Sequence, residues 1–138
     1  MSTETTPQKN KWPSVVCLVS VIYVLAYAAL YVRPPQPDAS FFPLIRSTGI
    51  CLLLLFGSIG VGLRRRWAVS PILIGSVLVL GTAAFSLFSI IVAMGGMPPI
   101  IALLGILTFM LPTIAWPGFL VVWFSRRTTK SIIQEQWI

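Results

Sequence analysis

The side chains of this chain that could do chemistry are few, and the acidic ones lie outside its long apolar runs. There is no histidine, and the three acids are Glu4, Asp38 and Glu135. Acid–base catalysis, metal coordination and haem ligation need histidines, carboxylates or clustered ligands that the apolar runs do not contain. We therefore expect a protein that is not an enzyme and that holds no metal or cofactor.

Two cysteines, Cys17 and Cys51, sit within separate apolar runs. If these runs are antiparallel helices that rise about 1.5 Å per residue, the two sulfur atoms lie at different depths. A disulfide requires Cα atoms within about 7 Å of each other, so we expect small apolar fillers rather than a redox pair.

A tyrosine recurs every four residues in the first apolar run, at Tyr23, Tyr27 and Tyr31. This spacing places the three rings on one face of a helix. Such a face could line a groove for a lipid tail, a quinone ring or a cationic ligand. The sequence favours a plainer interpretation, a packing seam whose outer member, Tyr31, anchors at the membrane interface.

The last apolar run contains two prolines, and the candidate interaction residues here are Pro112, Trp116 and Pro117. Each proline removes a backbone hydrogen bond and tends to kink a helix. The freed carbonyl groups need partners within a membrane, so this segment is expected to face protein rather than lipid. Broken helices also build substrate sites in transporters, but a simple kink is the favoured explanation, because membrane helices tolerate proline.

Small residues follow helical spacing in the two middle runs. Thr82, Ser86 and Ser89 share one face, and Gly57 and Gly60 form a similar small surface. Small and hydroxyl residues let membrane helices approach closely, so we predict that both faces pack against neighbouring helices. Three hydroxyls are few for a polar pore lining.

The elements that must position these residues are membrane spans. The chain is 57% hydrophobic and 9% charged, whereas a soluble domain has about 25% charged residues. Continuous apolar runs indicate helices, since a membrane β-barrel would need short alternating segments. We predict an all-α polytopic integral membrane protein, a four-transmembrane-helix bundle, with a disordered tail over 1–11, a membrane domain over 12–125 and a basic tail over 126–138. The predicted spans are 12–32, 44–63, 70–94 and 100–124, separated by the segment RPPQPD, the arginine triplet Arg64, Arg65 and Arg66, and the segment GGMPP.

Orientation follows from the basic residues. Lysine and arginine concentrate in cytoplasmic loops near span ends, so both termini are predicted to be cytoplasmic. This placement also explains the net charge of +7 through orientation and anionic lipid headgroups, without nucleic acid. The cytoplasmic set is Lys9, Lys11, Arg64, Arg65, Arg66, Arg126, Arg127 and Lys130, against Arg33 and Arg46 on the other side. The pattern suits a bacterial cytoplasmic (inner) membrane.

Two alternatives stay open at the ends of the chain. The lysines before the first run and the triplet Ala26-Tyr27-Ala28 resemble a secretory signal, whose cleavage would leave three spans. The apolar run is longer than the usual signal core of about 7–15 residues, which favours a span. In the basic tail, Ile132, Ile133 and Trp137 could form a short interfacial helix or a docking peptide.

Because the apolar runs carry no catalytic groups, we expect the chain to act by contact with lipid or protein. We expect an accessory, assembly or regulatory subunit of a membrane complex, a class that includes immunity-type proteins, with another membrane protein or a second copy as partner. The alternative is a small oligomeric transporter or channel that uses the proline-kinked fourth helix. The small multidrug transporters have this size and span count, but their first helix carries an acid, which is missing between Lys11 and Arg33. A quinone or lipid site against the tyrosine face is a third hypothesis.

Overall fold

The computed structural model describes residues 11–32, 37, 40–96 and 99–138, and these residues fold into helices and turns. Four helices are long and apolar enough to cross a membrane, which confirms the predicted all-helical class with four candidate spans. A fifth, short helix lies outside the predicted bundle. The helices are α1 (Trp12–Tyr31), α2 (Phe42–Gly62), α3 (Val69–Ala93, preceded by a single 3-10 turn), α4 (Ile100–Ser125) and α5 (Arg127–Gln136).

Several features predicted from the sequence fall outside the described residues. They are residues 1–10 of the predicted tail, most of the proline-rich segment 33–38, and residues 97 and 98 of the predicted turn. Glu4, Lys9, Arg33 and Asp38 belong to these segments.

Prolines mark the start of three helices. Pro13 and Pro43 occupy the first turn of α1 and of α2, and Pro99 directly precedes α4. A first turn suits proline because its backbone N–H groups have no partner within the helix, and the ring fixes φ near the helical value. The third helix ends just before Gly95, whose φ of +74° is the left-handed conformation that stops a helix at low steric cost.

The four long helices pack in chain order, each against the next. The second and third helices approach closely because glycine removes the side chain from their contact. A Cβ atom on Gly57 would lie 2.7 Å from the Cβ atom of Ile72, and one on Gly75 would lie 2.9 Å from Cδ2 of Leu54. The predicted packing role of Gly57 is therefore confirmed. The largest fully buried side chains of the core include Ile50, Leu54, Ile72, Leu120 and Phe124.

The fifth helix folds back across the end of the bundle where α1 begins. Its buried residues Thr129 and Ile133, with Trp137 just beyond its end, recur every four positions and so share one face. The Trp137 ring stacks on Trp12, with ring centroids 5.6 Å apart. Trp12 also meets Trp123 and Phe124 of α4 edge-on, at 6.0 and 6.3 Å. We call this half of the bundle the sealed half.

Candidate functional site: a cavity beside the tyrosine face

The three tyrosines of α1 form a continuous stack of rings. Ring centroids are 6.1 Å apart between Tyr23 and Tyr27 and 4.6 Å apart between Tyr27 and Tyr31. Burial differs along the stack, since Tyr23 is half-buried, Tyr27 is 6% exposed and Tyr31 is 44% exposed. The face predicted from their spacing therefore runs from the inside of the bundle to its surface.

Tyr23 joins α1 to the proline-containing part of α4. Its hydroxyl donates a hydrogen bond of 2.6 Å to the carbonyl oxygen of Thr113. In an unbroken helix that carbonyl would accept from the residue four positions later, which here is Pro117 and has no N–H. Tyr23 supplies the missing donor, and Pro117 is fully buried.

Trp116 makes a second polar contact between the same two helices. Its Nε1 donates to the hydroxyl oxygen of Ser20 over 3.1 Å, and Ser20 is 1% exposed. Pro112, one turn earlier in α4, is exposed. Of the two prolines, only Pro117 therefore follows the expectation that the segment faces protein.

A cavity of about 400 Å³ lies beyond these contacts, in the half of the bundle away from α5, which we call the open half. Its walls come from α1, α3 and α4. Tyr27 and Tyr31 form one side, and Phe109, Met110 and Thr113 of α4 form another. The remaining wall belongs to α3, from Val79 to Ile90.

The hydroxyl residues of α3 do not pack as predicted. Thr82 and Ser86 line the cavity, and Ser89 is exposed. Hydroxyls at this spacing can serve a helix contact only where a neighbouring helix lies against them, and in the open half α4 stands away from α1. The prediction of a helix-packing face for these three residues is wrong.

A second space lies beside the cavity, between the outer ends of α1 and α4. It measures about 640 Å³ and shares Tyr31, Gly105, Phe109 and Thr113 with the cavity. Leu30, Thr108 and Pro112 complete its rim. The cavity thus adjoins a groove on the outside of the bundle.

The arginine triplet has a structural role that sequence reasoning missed. The Arg66 side chain donates to the carbonyl oxygens of Trp137, over 2.7 Å, and of Gln134. The last carbonyls of a helix lack partners within it and attract cations, so Arg66 caps the end of α5. No local pattern links positions about 70 residues apart, and only the fold brings them together.

The backbone reinforces this junction. Arg66 N–H donates to the Ile138 carbonyl over 3.1 Å, and Ile138 N–H donates to the Arg64 carbonyl over 3.1 Å. Arg65 is exposed, as are Arg127 and Lys130, and the guanidinium of Arg126 lies 5.9 Å from the Trp123 ring. The basic cluster at this end therefore includes an arginine whose exposed side chain holds the end of α5, beside the exposed Arg65, Arg127 and Lys130.

The site offers rings and hydroxyls rather than groups that carry charge. Within the described residues, no three His, Cys, Asp or Glu side chains come together as a metal site would require. Cys17 and Cys51 are free, and Cys17 packs where a side chain on Gly62 would stand. Such a lining can bind an uncharged molecule by stacking and hydrogen bonding. No protein-family model, curated protein or solved structure matches this chain, so its function has to follow from its own residues.

Proposed function

We propose that the chain is a small non-enzymatic integral membrane protein that acts through contacts inside the bilayer. It serves as an accessory, assembly or regulatory subunit of a membrane complex, a class that includes immunity-type proteins. Its location is the bacterial cytoplasmic (inner) membrane, with both termini in the cytoplasm. The described basic residues support this orientation, since all except Arg46 lie at the α5 end of the bundle.

The observation that carries the proposal is the exposure of α4. In the most apolar 18-residue stretch of α2, 39% is buried inside the protein, whereas for α4 the figure is 6%. Six residues spaced three or four apart form one strip along α4, which we call the outer face. All are exposed except half-buried Gly118, and they are Leu104, Thr108, Leu111, Ala115, Gly118 and Val122.

Exposure to lipid alone does not require a partner, because lipid tails are as apolar as leucine. The composition of the outer face is the stronger argument. Thr108, Ala115 and Gly118 are small residues of the kind that let a second membrane helix approach closely. Among the described residues nothing lies within 4 Å of a Cβ atom on Gly118, so packing within that part of the chain gives no reason for glycine there.

Pro112 points to the same side of α4. Its missing N–H leaves the Thr108 carbonyl without the donor that a regular helix would provide. Tyr23 solves this problem at Pro117, but the described part of the chain shows no equivalent donor for Thr108. In a bilayer such a carbonyl needs a polar partner, which a helix docked on the outer face can offer.

The test is purification from native membranes in a mild detergent. The wild-type protein is expected to migrate with one stoichiometric membrane protein. Gly118→Leu is expected to lose that partner, because the new side chain occupies the contact, while Gly81→Leu is the matched control at a helical glycine that also has open space. A wild-type monomer, or equal recovery of the partner from all three proteins, would refute the proposal.

A flux measurement distinguishes the transporter alternative from the accessory subunit. The cavity lies in the open half, and toward the sealed half α1 and α4 are joined by the Tyr23–Thr113 and Trp116–Ser20 contacts and then by the rings of Trp12, Trp123 and Phe124. Liposomes that hold the purified protein are expected to show no ion or solute flux. A flux that Pro112→Ala or Pro117→Ala changes would favour the transporter instead.

A further inference from the structure

Four hydroxyl groups of the cavity have no hydrogen-bond partner among the described residues. That of Tyr31 belongs to an exposed side chain. The other three belong to Tyr27, Thr82 and Thr113, which stand on three different helices around one space. Other hydroxyls in α3 and α4 bond to their own helix, as Ser86 does to the Thr82 carbonyl and Thr108 to the Leu104 carbonyl. The hydroxyls of Tyr27, Thr82 and Thr113 border the cavity instead of being enclosed by protein atoms, and in an apolar membrane a polar group without a partner is costly, so this cavity is suited to an occupant that accepts hydrogen bonds.

Two of these hydroxyls lie deep in the membrane. Thr82 is 11 residues from the end of α3 and Thr113 is 13 residues from the start of α4. At about 1.5 Å per residue, both lie about 15–20 Å below the helix ends, near the middle of a hydrocarbon core about 30 Å thick. Tyr27 lies nearer the surface, four residues from the end of α1. The ester groups of phospholipids stay at the interface, so they do not reach Thr82 and Thr113. The occupant must carry its polar atoms into the hydrocarbon region.

The charge and the shape of the cavity lining narrow the class of ligand further. None of the described residues that line the cavity is charged. An anion or cation held there would lack a partner in an apolar environment, which is costly, so the occupant is neutral. The rings of Tyr27, Tyr31 and Phe109 provide flat surfaces for stacking another planar ring.

The adjacent groove gives the rest of the molecule a place. It runs from Tyr31 and Leu30 on α1 to Pro112 on α4 and shares four residues with the cavity. An apolar tail attached to the ring can leave through this groove into the lipid. The cavity volume of about 400 Å³ lies in the range of about 300–1,000 Å³ that is usual for small-molecule sites.

We infer that the cavity binds a quinone-type ligand, a neutral planar ring with carbonyl oxygens and an apolar tail. The hydroxyls of Tyr27, Thr82 and Thr113 donate to the ring oxygens, the tyrosine face and Phe109 stack against the ring, and the tail lies in the groove. The groove borders the outer face of α4, because Thr108 belongs to both, whereas the residues of α4 that line the cavity, such as Phe109 and Thr113, lie outside that face. The purified protein without its partner therefore tests the cavity separately.

The experiment uses the full-length protein in phosphatidylcholine nanodiscs and a photoreactive azido-benzoquinone with a decyl tail. Labelled residues are identified by mass spectrometry, and unlabelled decylbenzoquinone is added as a competitor. Saturable labelling of residues around the cavity is expected. Gly105→Leu, which fills the cavity from a position with open space, is expected to reduce labelling at least tenfold, and Gly81→Leu to leave it unchanged.

A second pair of variants tests the hydroxyls. Tyr27→Phe and Thr82→Val keep the shape of the lining and remove one donor each, so each is expected to raise the half-displacing competitor concentration about fivefold. These variants also serve if Gly105→Leu fails to fold. Equal labelling of the wild type and all three cavity variants would overturn the inference. Displacement of the probe by dioleoylglycerol as effective as that by decylbenzoquinone would overturn the assignment to a ring.

Discussion

In the sealed half of the bundle, α1 and α4 are joined by aromatic rings that meet edge-on, whereas in the open half the same two helices stand apart around a cavity. Trp12 bridges Trp123 and Trp137 in the first region. Tyr27 and Thr113 face an empty volume in the second. The difference shows that packing can fix the distance between two helices at one end, while at the other end the same helices leave room for a cavity.

The border between the two halves is built from hydrogen bonds that cross from α1 to α4. Tyr23 reaches the Thr113 carbonyl, and Trp116 reaches Ser20. Both contacts lie one turn or less from Pro117. The proline therefore leaves a carbonyl oxygen inside the membrane without a hydrogen-bond donor from its own helix. The neighbouring helix supplies that donor at the point where the two helices begin to separate.

The largest change in the free energy of unfolding is expected from a substitution in the sealed half, at Gly57. Gly57→Ala places a Cβ atom within 3 Å of both the backbone and the side chain of Ile72, so α2 and α3 must move apart. We expect the free energy of unfolding to fall by about 2–3 kcal/mol, the cost typical of overpacking. Unfolding by SDS in mixed micelles measures this, with Gly81→Ala as the control. A loss below about 0.5 kcal/mol would contradict the close approach of the two helices.

The next largest loss of stability is expected at the border between the two halves. Tyr23→Phe removes the donor to the Thr113 carbonyl and should lower the free energy of unfolding by about 1–2 kcal/mol. Pro117→Ala restores a backbone N–H four residues after Thr113, so in that background Tyr23→Phe should cost much less. A double-mutant cycle on the two substitutions measures the coupling. Additive losses would show that Tyr23 does not compensate for Pro117.

A smaller and more local effect is expected where Arg66 caps α5. Arg66→Met removes both side-chain bonds to the end of that helix, and amide exchange in residues 127–138 should accelerate about tenfold. Hydrogen exchange measured by mass spectrometry resolves this segment. Arg65→Met is the matched control, because among the described residues the α5 end is bonded by the side chain of Arg66 and not by that of Arg65. Equal exchange in the two variants would mean that Arg66 does not hold α5.

The smallest effect, of opposite sign, is expected in the open half. Gly105→Ala adds a side chain where nothing lies within 4 Å and replaces a glycine inside a helix. The free energy of unfolding should rise by about 0.5–1 kcal/mol. The same denaturation assay compares it directly with Gly57→Ala. A destabilised Gly105→Ala protein would show that the two halves are equally packed.

The sequence was sufficient to predict the four long helices because their apolar runs are interrupted by prolines, glycines and arginines at the right spacing. It also indicated that a proline in α4 would free a carbonyl group that needs a partner. It could not identify Tyr23 as the donor to Thr113, because that requires the relative depth of α1 and α4. Thr82 and Ser86 were assigned to packing for the same reason, since spacing along one helix does not show where a neighbour stands away.

The fifth helix marks another limit of sequence reasoning. From the sequence, Ile132, Ile133 and Trp137 after the basic cluster indicate a short interfacial helix or a docking peptide. In the structure the packed face consists of Thr129, Ile133 and Trp137. The surface that receives this face is part of the same chain, formed by Trp12 and the turn at Arg66. A pattern of apolar residues shows that a helix needs a partner, but not which one.

The groove beside Tyr31 opens sideways, toward the space that lipid fills in a membrane. A molecule that arrives by this route never leaves the bilayer, so its concentration in water has little influence on how full the cavity is. Occupancy depends instead on the number of ligand molecules per lipid and falls when the membrane area grows at constant ligand content. The occupancy of such a cavity would therefore follow the composition of the surrounding membrane rather than that of the aqueous compartments on either side.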